Sequence, residues 1–188
     1  MGVAVKKISG ILAGLTVYLV FTGGVASDVW AGTAKEIDVS ADATLERFYD
    51  KIKGGKNLVR DAKGVLIFPS VIKAGIGIGG EYGEGALRIH GKTADYYSTA
   101  AASLGFQLGA QKKSIILLFM QDEALKDFRR SSGWKAGVDA SVAVVTVGAG
   151  GEMDTARLKE PILAFIFGQQ GLMYNLTLEG AKFTKLKK

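Results

Sequence analysis

The chain has 188 residues, 48% hydrophobic and 22% charged. That suits one packed domain plus a short appendage and excludes long disorder. It has no cysteine, which excludes disulfides, thiolate metal sites, cysteine nucleophiles and a lipidated N-terminal cysteine. The net charge of +6 falls only slightly without residues 1–31, which hold Lys6, Lys7 and Asp28. A modest positive balance favours anionic surfaces, lipid or acidic polymer. Nucleic acid is not an expected partner, because no Arg-rich helix or aromatic stacking motif is present.

The N-terminus reads as a secretory signal. Lys6 and Lys7 precede an apolar stretch at 8–21, shorter than the roughly 20 residues of a spanning helix. Small-residue triplets at 24–26, 29–31 and 32–34 suit cleavage between positions 26 and 34. This predicts a periplasmic or secreted protein, with 1–31 as signal peptide and 35–188 as a single domain.

A first helix is expected after Ser40 as N-cap, with Asp42 in its first turn. Leu45, Phe48, Tyr49 and Ile52 fall at i, i+3, i+4 and i+7 and form one apolar stripe. Gly54-Gly55 ends it. A second short helix covers 56–62, and Gly64 stops it.

From there the texture is β. Val65-Leu66-Ile67-Phe68 reads as a buried strand ended by Pro69. In the stretch from Ala74 to Ile89, apolar residues alternate with glycine, a period of two. Its glycine face, at Gly75, Gly77 and Gly79, leaves two readings open: a tight bend of the sheet, or a smooth surface lying against a ligand or lipid. Further strands are expected at 86–90, 94–98, 103–109, 114–120, 139–147, 162–167, 172–178 and 181–186. One helix interrupts them, capped by Gln121 or Asp122, running to Arg130 and turning Leu125 and Phe128 inward. Residues 115–119 and 162–167 are apolar on both faces, so a second layer must cover them, and the two N-terminal helices are available. The expected fold is α+β and mostly antiparallel: a sandwich or closed barrel of about 8–10 strands with N-terminal helices and one internal helix.

The glycines do not match a nucleotide loop in spacing, and no helix follows them. His90 is the only histidine, too few for a zinc site, and it sits beside Gly91 as a solvated turn residue. Glu81 and Glu84 could be paired carboxylates, but solvation or bonds to backbone amides is the plainer role for both. No enzyme activity, metal or cofactor is expected. The grouped polar residues are basic: Arg47, Lys51, Lys53, Lys56, Arg60 and Lys63 on the two helices, with Lys73 soon after. Lys182, Lys185, Lys187 and Lys188 form a second group. An amphipathic helix with basic margins can lie on an anionic membrane. Asp42, Glu46, Asp50 and Asp61 sit among the first group, and a mixed-charge face can equally be plain solvated surface.

Several blocks carry a family resemblance: Asp61-Ala62-Lys63-Gly64-Val65-Leu66-Ile67-Phe68-Pro69, Lys73-Ala74-Gly75 and Gly79-Gly80-Glu81-Tyr82-Gly83-Glu84-Gly85-Ala86-Leu87. Tyr97-Ser98-Thr99-Ala100, Phe106-Gln107-Leu108-Gly109-Ala110-Gln111, Leu117-Leu118-Phe119-Met120, Gly137-Val138-Asp139-Ala140-Ser141 and Gly171-Leu172-Met173 follow in order. Together they resemble the SYLF-domain family over about residues 37–186, in the form of a bacterial, exported, stand-alone member. The resemblance implies lipid binding. Eukaryotic members bind phosphoinositides or other acidic lipids, and some bind actin. Their lipid contact is attributed to a basic amphipathic N-terminal segment, which corresponds here to residues 40–63. The expected lipid-binding residues are therefore Arg47, Lys51, Lys53, Lys56, Arg60, Lys63 and Lys73. A module that binds a protein partner through its β surface is the rival expectation.

Overall fold

Thr33 starts the first helix by a capping box. Its Oγ1 accepts from the Glu36 backbone N–H, and the Glu36 carboxylate accepts from the Thr33 N–H at 2.7 Å, so two orphan donors are satisfied at once. The helix α1 runs over Ala34–Lys51 with Thr33 as N-cap, seven residues ahead of the expected cap at Ser40. Ser40 lies inside it, and its carbonyl accepts from the Thr44 hydroxyl. A short turn leads to α2, Gly55–Asp61. The computed structural model describes residues 32–146, 159–170, 178 and 180–188. The signal-like segment 1–31, the polar loop up to residue 158 and nearly all of the strand expected at 172–178 lie outside them.

Two very long strands dominate: β1, Gly64–Ile89, and β2, Lys92–Phe119, of 26 and 28 residues. They pair antiparallel along their whole length, from Gly64 opposite Phe119 to Ile89 opposite Lys92. The short strands expected between 65 and 90 are thus one strand. Pro69 does not end it. A proline lacks the ladder N–H, so the strand takes a register shift between Phe68 and Val71 and continues.

A hairpin this long must bend, and the glycines say where. A Cβ on Gly75 would sit 2.3 Å from the Gly79 Cα, one on Gly83 would sit 2.8 Å from the Ser70 carbonyl, and one on Gly85 would sit 2.2 Å from the Ile67 carbonyl. These pairs straddle the register shift between Ile76 and Ile78. The strand doubles back there, and its two halves approach backbone to backbone. Gly75, Gly83 and Gly85 therefore lie on the inside of the bend.

β2 is the spine of the sheet. Its 96–100 segment pairs with β6, Lys182–Leu186, and its 112–119 segment pairs with β5, Ile162–Gln170. The short β3, Trp134–Lys135, extends one end of the sheet by pairing with β6. β4, Ala143–Thr146, runs parallel to β5 and extends the other end. The result is an α+β fold whose curled, mainly antiparallel sheet forms a half-barrel.

Each face of the sheet has its own core. Inside the fold, Leu66, Phe68, Leu87, Tyr97, Ile115, Leu117 and Phe119 pack with Phe183 and Trp134. Outside it, Val65, Ile67, Ile116, Leu118, Leu163, Phe165 and Phe167 are covered by Ile37, Ala41, Phe48 and Ile52, with Leu58 and Val59 of α2 alongside. The second layer demanded by the doubly apolar strands is thus supplied by the N-terminal helices. Phe48, fully buried, meets Phe165 edge-on at 5.0 Å; burying such a ring is worth about 3 kcal/mol.

The internal helix α3, Asp122–Arg130, follows β2. Phe128 anchors it, with ring centroids 4.7 Å from Tyr97, 4.9 Å from Phe119 and 5.4 Å from Trp134. Leu125 closes over Gly64, where a Cβ would meet its Cδ1 at 2.8 Å.

Candidate functional site

The cations expected from the sequence lie on the helical cover. Arg47, Lys51, Lys53, Lys56, Arg60 and Lys63 are all exposed. Arg47 Nη2 donates to the Thr44 hydroxyl at 2.8 Å and, more weakly, to Ser114 Oγ of β2 at 3.4 Å. Lys56 stands over the Tyr49 ring at 5.6 Å. Arg60 pairs with its neighbour Asp61 at 3.0 Å, both exposed, an arrangement that contributes little. Lys51, Lys53 and Lys63 enter no ion pair among the described residues. Six cations thus fall within one helix–turn–helix, and the side chains of three of them, Lys51, Lys53 and Lys63, enter no ion pair or hydrogen bond among the described residues.

Lys73 does not join them. It points into the bend of β1 and is 4% exposed. Residues 71, 73, 81 and 83 share the inward face, so an alternating strand carries it away from the helices. Lys113, opposite Val71 in the pairing with β2, is also buried, and its Nζ donates to the Glu81 carboxylate at 2.9 Å. That pair is 1% and 7% exposed at the side chains and ties the two halves of the fold together. Glu84 takes a different role. It accepts from Lys188 Nζ at 3.0 Å and from the Tyr82 hydroxyl at 2.9 Å. Glu81 and Glu84 thus hold different partners, Glu81 the buried Lys113 and Glu84 Lys188 and Tyr82. Burial, then the Glu84 hydrogen bond and charge, push the Tyr82 phenol up to about 12.

Two of the four C-terminal lysines, Lys185 and Lys188, are committed to structural contacts. Lys188 also donates to the Gly32 carbonyl at 2.7 Å, and Lys185 pairs with Asp95.

Two cavities open on either side of the β1–β2 turn. One, of about 330 Å3, lies between α1 and α2, with Leu45, Tyr49, Val59, Ala62 and Val65 as apolar lining and Asp42, Arg60, Arg88 and His90 around them. Arg88 there is held by Asp42 at 2.9 Å and Asp38 at 3.4 Å. The other, of about 350 Å3, lies toward α3 and is lined by Lys63, Ile89, His90, Asp122, Leu125, Lys126, Arg129 and Arg130. His90 borders both. It is the one non-glycine residue with positive φ among those described, at 51°, followed by Gly91 at 76°. Two successive left-handed residues make a two-residue hairpin turn, so the turn position was legible. The convergence of α3 upon it was not. The cations at 126, 129 and 130 had a helical spacing that could have been read as one face, but nothing in the sequence linked that face to Lys63 and His90.

A rigid curled sheet that displays cations on an outer helical layer has the geometry of a small binding module. Residues 100–188 match the family Ysc84, described as Las17-binding protein actin regulator. The matched span is similar to this family, the same SYLF-domain group that the sequence blocks resemble. The family is one of binding and regulator domains, of lipid-binding and actin-regulator type. No curated protein matches the chain. The matched span carries β2 from residue 100 onward, α3 and β6, and ends before none of the C-terminal lysines; the helical cover lies ahead of it. Among the described residues, no helix is long and apolar enough to cross a membrane.

Proposed function

We propose that the protein binds anionic lipid headgroups at a membrane surface through the basic helix–turn–helix over residues 34–63. The observation that carries this reading is the set of exposed cations Arg47, Lys51, Lys53, Lys56 and Lys63, none of them held by a carboxylate among the described residues. Each basic residue near an acidic leaflet contributes about 1 kcal/mol. The half-barrel acts as the scaffold that holds both helices in place. Export by the signal-like residues 1–31 belongs to the same reading and would put the acidic surface in a periplasm or outside the cell.

Vesicle co-sedimentation is the test. Lys51→Glu, Lys53→Glu and Lys56→Glu together should abolish binding to vesicles containing phosphatidylglycerol while circular dichroism stays unchanged. Binding that survives the triple reversal would end the proposal. A second reading, a protein-interaction module, is favoured by the exposed Ile72 and Ile78, at 55% and 72%, and by the family's description as an actin regulator. It predicts no vesicle preference and a cross-linked protein partner.

A further inference from the structure

The helical cover gives a general attraction to acidic surfaces and leaves the cavity beside α3 unused. Three elements converge there: the end of α2, the β1–β2 turn and α3. Lys63, Lys126, Arg129 and Arg130 face one carboxylate, Asp122. Arg129 is partly committed, its Nη2 and Nε donating to Asp95 at 3.1 and 3.2 Å. Lys126 pairs with Glu123 at 3.2 Å on the solvent side of the same helix, a weak hold. Lys63 and Arg130 are in no ion pair among the described residues.

The site is built rather than loose. The Phe128 ring cluster pins α3 from below. Ile89 and Leu125 line the cavity beside the cations, so its floor is apolar and its charged groups sit at the rim, exposed to solvent. His90 occupies a left-handed position where glycine or asparagine would be less strained, and such strain is commonest at functional positions. A volume of about 350 Å3 is at the small end of ligand cavities, enough for a headgroup and too small for a whole lipid.

We propose that this cavity is a binding site for a phosphomonoester dianion, held by Lys63, Lys126 and Arg130 with His90 at its edge. Cations arriving from separate elements can each take a different oxygen of a terminal phosphate. A phosphodiester flanked by two ester groups presents fewer free oxygens and a single charge, so it gains only the general attraction. The phosphate could belong to a lipid headgroup or be free in solution. The lipid version rests on the membrane reading above; the soluble version does not.

The experiment uses the full chain in two arms. In the first, inorganic phosphate is titrated and followed by NMR shifts. In the second, vesicles containing phosphatidic acid are compared with phosphatidylglycerol vesicles matched in surface charge. The native protein should bind inorganic phosphate saturably and should prefer phosphatidic acid by about fivefold or more. Lys126→Ala with Arg130→Ala should weaken phosphate binding about tenfold or more, remove the phosphatidic acid preference and leave phosphatidylglycerol binding in place. His90→Gly should raise thermal stability while weakening phosphate. Reversal at Lys51, Lys53 and Lys56 should do the opposite, abolishing vesicle binding and sparing inorganic phosphate, so the two proposals fail separately. Saturable phosphate binding without a phosphatidic acid preference assigns the site to soluble phosphate. No saturable binding, or equal binding by the native protein and the Lys126→Ala/Arg130→Ala variant, overturns the site.

Discussion

Gly80 and Gly85 occupy the same strand, and only one of them is there for want of space. A Cβ on Gly80 meets nothing within 4 Å, whereas one on Gly85 would meet the Ile67 carbonyl at 2.2 Å. Gly85→Ala should therefore cost about 3 kcal/mol or more by overpacking. Gly80→Ala should be neutral or gain up to about 1 kcal/mol by restricting the unfolded chain; urea unfolding of the two variants checks the contrast. The alternation of glycine was legible in the sequence, but which of them face backbone was not, because that depends on where the strand doubles back. Tyr97 gives a second residue-scale expectation. Its hydroxyl is buried and has no hydrogen-bond partner among the described residues, and burial, with the Asp95 charge, pushes it up to about 12 from 10.0. The folded state then holds this proton more tightly than the unfolded chain. The contribution is fully present below pH 10 and is lost as pH rises toward 12. Tyr97→Phe removes both the unpaired hydroxyl and the titration, so it should match the native protein at pH 7 or exceed it, with an advantage that grows above pH 10 in denaturation midpoints.

Helix α1 shows how a local signal can be overlooked beside a stronger pattern. The Leu45, Phe48, Tyr49 and Ile52 stripe locates the helix, but Ser40 as its N-cap falls seven residues after the cap observed at Thr33. The capping box at Thr33 and Glu36 was present in the sequence and sets the true start. It also draws in Ile37 and Ala41, which are 6% and 0% exposed, so the earlier turns extend the buried stripe. Thr33→Ala should lower stability by about 1 kcal/mol. The hydrogen bonds from Thr33 hold the Glu36 carboxyl below its ordinary 4.5. What that interaction contributes is present above the unfolded value and is lost as pH falls through the lower folded one. An acid titration comparing Thr33→Ala with the native chain would show the difference shrinking at low pH. Among the strands, residue type predicted β structure well, and segment boundaries failed. Pro69 and the glycines looked like stops, but the neighbouring strand β2 carries the ladder past them. Local punctuation is overruled when a long partner stays in register.

At the scale of the molecule, one buried ion pair spans the bend. Glu81 lies on the returning half of β1, and Lys113 lies on the half of β2 opposite Val71. Removing one partner leaves an uncompensated buried charge, so Lys113→Met should cost about 3–5 kcal/mol, while Glu81→Met with Lys113→Met should recover most of that loss. Denaturant midpoints of the single and double variants check this. Vesicle attraction by the helical cover should fall steeply between 0.05 and about 0.3 M salt, because exposed charges are screened within a Debye length of about 10 Å. The sequence by itself determined the β-rich class, the three helices, the need for a second layer over the apolar strands, and the basic character of the helical cover, since each of these follows from periodicity and composition along a short window. Only the tertiary structure decided that Lys73 turns inward, that Glu81 and Glu84 serve different partners, and that His90, Lys63 and α3 meet around one cavity. Those facts depend on how a 26-residue strand folds back on itself, and a fold-back brings together residues whose spacing along the chain carries no trace of it.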